Sequence, residues 1–111
     1  MDRVAEYREI VKRIIREYGA IDVSTSGVEA EVILDEANDH YELIYSGWRN
    51  NRRIHGTVLH VDIRDGKIWV QHDGTEDGIA GELLEAGVPH EHIVLAFHPP
   101  QHRKYTPFAV G

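Results

Sequence analysis

Residues 53–80 read RIHGTVLHVDIRDGKIWVQHDGTEDGIA, and their pattern decides the fold. Two runs of alternating apolar and polar residues flank Asp65-Gly66. A two-residue Asp-Gly loop favours a type I′ turn, because both central residues need positive φ, so the stretch predicts a β-hairpin. The loop length sets the register: Arg64 opposite Lys67, Ile63 opposite Ile68, Val61 opposite Val70 and Leu59 opposite His72, read as one face on the core side. The other face carries Asp62 against Trp69 and His60 against Gln71, with Val58 and Asp73 beyond them, and it is half polar. The second strand runs straight into Asp73-Gly74-Thr75-Glu76, after which Ile79, Ala80, Leu83 and Leu84 follow at helical spacing. Asp73 or Thr75 is placed to cap that helix, with Glu76 and Asp77 in its first turn, where the macrodipole favours negative charge.

Upstream, Asp2 to Tyr18 sets Val4, Tyr7, Val11, Ile14 and Tyr18 at three- and four-residue steps, with Ile10 and Ile15 widening the stripe. That is an amphipathic helix, and Gly19 follows as its C′ residue. Val28 to Leu34 and His40 to Trp48 each alternate, so they predict a second antiparallel pair around the turn-prone stretch 35–39. Asn50-Asn51 marks the turn into the central hairpin, which makes four consecutive strands a meander. Downstream, Gly87 and Pro89 stop the second helix, and His90 to His92 form a short turn. Ile93 to Phe97 is then a fifth strand or a buried extended segment, Pro99-Pro100 forces extension, and the aromatic tail from Gln101 packs on something. The predicted fold is α+β, with an antiparallel four- to five-stranded meander packed by an N-terminal helix and by a second helix after strand 4.

A chain of 111 residues makes one domain, long enough to remove ~65% of its unfolded surface from water. It has no run of eighteen apolar residues and no basic-then-apolar leader, so a cytoplasmic protein is expected. The absence of cysteine rules out disulfides, thiolate zinc sites and thiol catalysis. A net charge of −7 argues against this chain gripping a nucleic-acid backbone, which requires clustered cations. The charge is nonetheless polarised, because the first helix is rich in arginine, Arg49, Arg52 and Arg53 cluster, and residues 68–102 contain no lysine or arginine.

Eight histidines invite a metal reading, but none is spaced i, i+4 on a helix, and His55 and His60 are read on opposite faces of their strand. The best cluster is His60 with Asp62, sharing a face with Asp73; these three are the candidate metal ligands, although no metal or other cofactor is expected. Gly74, Gly78 and Gly81 match neither phosphate-loop pattern, and Glu76 with Asp77 would repel a phosphate there. Asp65-Gly66-Lys67 offers only a fragment of a nuclease motif, and Ser24, Ser26 and Ser46 lack the context of a nucleophile. Trp48 beside Arg49, Arg52 and Arg53, and Trp69 on the half-polar face, combine residue types enriched at binding hot spots. A binding module outranks an enzyme.

The run 53–80, with Asp39-His40-Tyr41, Gly47-Trp48, Gly87-Val88-Pro89, Pro99-Pro100 and the ending Tyr105-Thr106-Pro107-Phe108-Ala109-Val110, closely resembles the XisI family, the fdxN element excision controlling factor proteins. Its most specific pieces are Arg53-Ile54-His55-Gly56, Asp65-Gly66-Lys67-Ile68-Trp69 and Asp73-Gly74-Thr75-Glu76. The resemblance implies a small α+β regulator from a cyanobacterium-like background. It also implies that such a protein is encoded beside a nuclease-like XisH protein and acts with it on a recombinase that excises a DNA element. It carries over no catalytic residue. The expected role is a non-enzymatic accessory factor that binds a XisH-like protein through Trp48, Arg49, Arg52, Arg53, Trp69, Tyr105 and Phe108, and a homodimer is expected. The alternatives are direct DNA binding by the Arg49–Arg53 loop and first helix, an antitoxin-like neutraliser of a nuclease-like partner, and a small metal-dependent hydrolase at His60, Asp62 and Asp73.

Overall fold

The computed structural model describes residues 3–111, and Asp2, which the sequence places in the first helix, lies outside them. The order of elements is α1 (Arg3–Gly19), β1 (Val28–Asp35), β2 (His40–Arg49), β3 (Arg52–Arg64), β4 (Lys67–Asp73), α2 (Ala80–Glu85), β5 (Ile93–Leu95) and α3 (Pro100–Arg103). The strands form one sheet in the order β1-β2-β3-β4-β5. The first four make the predicted antiparallel meander, whereas β5 joins β4 in parallel because α2 carries the chain back across the sheet.

The turns follow from residue type. Asn50 and Asn51 at φ 50° and 64°, and Asp65 and Gly66 at 52° and 74°, supply the paired positive φ values that two-residue hairpins need. Helix α1 lays Tyr7, Val11, Ile14 and Ile15 on a sheet face built from Tyr41, Leu43, Leu59, Val61, Ile63, Ile68 and Val70; Ile79, Leu83, Val88 and Ile93 close the same core. Burying each of these aliphatic side chains contributes roughly 1.5–3 kcal/mol against the entropy of ordering the chain. The Tyr18 hydroxyl donates to Glu82 Oε2 at 2.7 Å, tying α1 to α2, and this bond pushes the phenol pKa up to about 12.

Two bulges correct the predicted register. The pairing of β3 with β4 shifts between His60 and Val61, leaving Gln71 as the extra residue, so His60 lies opposite His72 and Leu59 opposite Asp73. Asp73 therefore moves to the helix side of the sheet and leaves the His60 face. The pairing of β2 with β3 shifts between Leu43 and Ile44, with Val58 as the extra residue, and this puts His55 (opposite Ser46) and His60 (opposite Glu42) on one face rather than two. Arg64 and Lys67 do pair, but strand alternation puts them on the open face, where the Arg64 guanidinium lies 4.3 Å from the centre of the Trp69 ring.

Three local expectations also change. Gly19 stays helical, and its missing Cβ instead lets α1 close on Val32, whose Cγ2 would lie 2.4 Å from an added methyl. Helix α2 starts only at Ala80, so Glu76 and Asp77 sit in the loop before it. Asp73 braces that loop by accepting from the backbone N–H of Thr75 at 3.0 Å and of Ile79 at 2.7 Å. Only Pro99 is extended; Pro100 opens α3, where its missing N–H has no partner to lose. Among the described residues no helix is long and apolar enough to cross a membrane.

Candidate functional site

Because α1 and α2 cover one face of the sheet, the other face and its two ends hold the exposed functional groups. At one end, the tip of the β2–β3 hairpin gathers Trp48, Arg49, Arg52 and Arg53. Trp48 is 60% exposed, and the Arg53 guanidinium lies over it, 5.4 Å from the ring centre. Arg49 Nε donates to the Ser26 carbonyl at 3.0 Å, which fixes its stem against the turn before β1. Arg49, Arg52, Arg53 and Ile54 line a shallow depression at the tip. The result is an exposed indole with one guanidinium stacked on it, while the next cross-strand pair, Arg49 and Arg52, presents two further cations on the other face of the tip.

Trp69 stands opposite Asp62 near the other end of β3, nine positions from Arg53, or roughly 30 Å at ~3.3 Å per residue. Its indole N–H donates to the Arg64 carbonyl at 3.3 Å, and the Arg103 guanidinium lies 5.7 Å from its ring centre. Lys67 Nζ donates to the carbonyl of Gly111 beside it, so the C-terminal tail lies across this end of the open face. Phe108 is half-buried against the core and packs on His90, with ring centres 5.1 Å apart. Tyr105 is 78% exposed on the tail, with Lys104 Nζ 5.3 Å from its ring. The seven predicted contact residues thus fall into two groups: four converge at the hairpin tip, while Trp69, Tyr105 and Phe108 belong to the tail region.

Arg103 holds the tail down by donating to three carbonyls, those of His98 at 3.1 Å, Val110 at 3.3 Å and Ala96 at 3.3 Å. Arg103→Ala is expected to cost about 1–2 kcal/mol through these lost bonds and to red-shift the Trp69 emission as the tail lifts. Unchanged emission and acrylamide quenching in a Trp48→Phe background would show that the tail does not shield Trp69.

Next to Trp69, at the same end of the open face, lies a polar cluster. Asp62, 6% exposed, accepts at Oδ1 from His40 Nδ1 at 2.7 Å and from His60 Nε2 at 2.9 Å, and at Oδ2 from Gln71 Nε2 at 3.2 Å. Glu42 Oε1 lies 3.6 Å from the other ring nitrogen of His60. The hydrogen bond to Asp62, then its charge, raises the pKa of His40 above the usual imidazole value. The sequence reading found His60 and Asp62 but missed His40, which the β2–β3 bulge brings opposite Asp62.

The profile of the family described as XisI protein matches residues 1–110. Two solved structures resemble the chain over its length. One is a XisI-like protein from Anabaena variabilis ATCC 29413, 42% identical, covering 99% of this chain and 100% of that one with a TM-score of 0.92. The other is the fdxN element excision controlling factor XisI from Anabaena variabilis ATCC 29413, 34% identical, covering 99% and 100% with a TM-score of 0.88. With a whole-length family match and backbones that superpose this closely, the chain belongs to the XisI family.

Proposed function

We propose that this protein is a non-enzymatic accessory factor in the excision of a DNA element of the fdxN type, acting by binding a XisH-like protein through the tip of its β2–β3 hairpin. The role in excision rests on family membership and on the name of the Anabaena relative. The observation that carries the binding surface is the exposed Trp48 with Arg53 stacked on it, at a hairpin tip that also presents Arg49 and Arg52. Tryptophan and arginine are the residue types that dominate interface energetics, and a tip that projects from the sheet is open to a partner. An arginine tip on a chain of net charge −7 suits an acidic protein surface better than duplex DNA, since the rest of the molecule repels phosphates.

The same three arginines favour one second reading, direct contact with DNA, and the two separate experimentally. Co-expression with the XisH-like product of a neighbouring gene is expected to yield a defined complex. Trp48→Ala is expected to weaken that complex by about 2 kcal/mol or more, a loss of roughly thirtyfold or greater. A complex indifferent to Trp48→Ala and to the Arg52→Ala, Arg53→Ala pair would remove the hairpin tip from the interface.

A further inference from the structure

The open sheet face holds a second group of residues that the hairpin-tip reading leaves unused. His40 and Asp62 are direct cross-strand partners on β2 and β3, and His60 precedes Asp62 by two residues on the same face. One donor atom from each of the three lies within 4.8 Å of the others. We propose that His40, His60 and Asp62 form a binding site for a divalent cation of the zinc class, with two imidazoles and one carboxylate as ligands.

Four features beyond proximity support the assignment. First, the anchoring carboxylate is buried, whereas His40 is exposed, so the site has a fixed floor and an open side for water or an outside ligand. Second, each fixed ligand has an outer partner of the kind that orients metal ligands. Gln71 Nε2 holds Asp62 Oδ2 at 3.2 Å, and the Glu42 carboxylate lies 3.6 Å from His60 Nδ1 while Nε2 points to Asp62. Third, the fit needs little movement. Ligands about 2.0–2.1 Å from zinc at tetrahedral angles sit roughly 3.3 Å apart, against 2.7 and 2.9 Å from Asp62 Oδ1 to the two imidazoles and no more than 4.8 Å between any two donors, and the His40 ring is exposed. Fourth, the donor set is selective, because imidazole with carboxylate suits zinc, nickel, copper or iron rather than magnesium or calcium, which favour all-oxygen shells.

The charged surroundings suit a cation. Asp35 of β1 and Glu42 of β2 add negative potential at His40. His72 of β4 lies opposite His60, and Asp62 supplies a further carboxylate. Because metal ligation needs imidazole nitrogens free of protons, binding releases protons.

Calorimetric titration of untagged, chelator-stripped protein with zinc chloride tests this, with magnesium chloride as the control. The expected result is one zinc per chain with proton release, a rise in thermal midpoint on adding zinc, and no response to magnesium. His40→Ala and His60→Ala should each weaken binding by about tenfold or more while keeping the metal-free urea midpoint close to wild type. Equal zinc binding by the wild type and by the variant carrying both changes would overturn the proposal, as would a wild type that takes up no zinc at pH 7.5.

Discussion

Asp39→Ala is expected to lower the stability of the fold by about 3 kcal/mol. The Asp39 carboxylate receives a two-pronged bond from Arg8 of α1, with Nε to Oδ1 at 2.7 Å and Nη2 to Oδ2 at 3.1 Å. It also accepts from the hydroxyl of the fully buried Tyr41 at 2.8 Å. One side chain thus joins the helix, the β1–β2 turn and the core, and removing it leaves a tyrosine hydroxyl without its partner as well as breaking the ion pair. The backbone adds to the cost. Asp39 sits at φ 53°, a left-handed conformation that aspartate and asparagine tolerate better than alanine. Asp39→Asn, which keeps an acceptor and the turn preference, should cost only about 1–2 kcal/mol. Because Arg8 holds the Asp39 pKa below the ordinary carboxylate value, its contribution is fully present above about pH 4, the unfolded-state value. It is lost as pH falls through the lower folded-state value. Urea melts should therefore show the wild type's advantage over Asp39→Asn at pH 7 and a smaller one at pH 3. An Asp39→Ala midpoint within error of wild type at pH 7 would contradict this account.

Gly47→Val should have an effect at least as large, about 3 kcal/mol or more, for a purely steric reason. A Cβ at Gly47 would lie 2.1 Å from the Gly27 carbonyl oxygen and 2.8 Å from Val28 Cα, both backbone atoms of the chain entering β1. Backbone cannot step aside as a side chain can, so β1 must separate from β2 at this end. The next residue is Trp48, whose N–H donates to the Gly27 carbonyl at 3.0 Å, so the same change dislodges the proposed binding surface. Hydrogen exchange of Trp48 and its β1 neighbours should accelerate in Gly47→Ala before the rest of the sheet loosens. Uniform protection in that variant would show that the close approach is not a constraint.

The hairpins and the helical stripe were legible because their signals are local. Asp65-Gly66 and Asn50-Asn51 specify their turns through two residues each, and Tyr7, Val11 and Ile14 repeat at helical period over the whole of α1. The bulges were not legible, since nothing in Val58 or Gln71 distinguishes an extra residue from an ordinary strand position. Each shifts the count by one, and that shift hid His40 from Asp62 and wrongly grouped Asp73 with them. The candidate contact residues were read as residue types but not as a place. Trp48 with its arginines is contiguous in sequence and so in space, whereas the position of the tail over Trp69 depends on tertiary packing that no short stretch encodes. The parallel sense of β5 depends likewise on where α2 returns the chain.

The proposed role requires the hairpin tip to bind a protein rather than DNA. The most direct test is a titration of this chain with the XisH-like protein, and separately with duplex carrying the excision site, at 50 and 200 mM salt. A defined complex with the protein is expected, with an affinity that changes by less than about tenfold between the two salts and falls on Trp48→Ala. Duplex binding through the three tip arginines would instead drop by about 40-fold over that range. Failure to bind the XisH-like protein, together with duplex binding that shows that steep salt dependence, would contradict it.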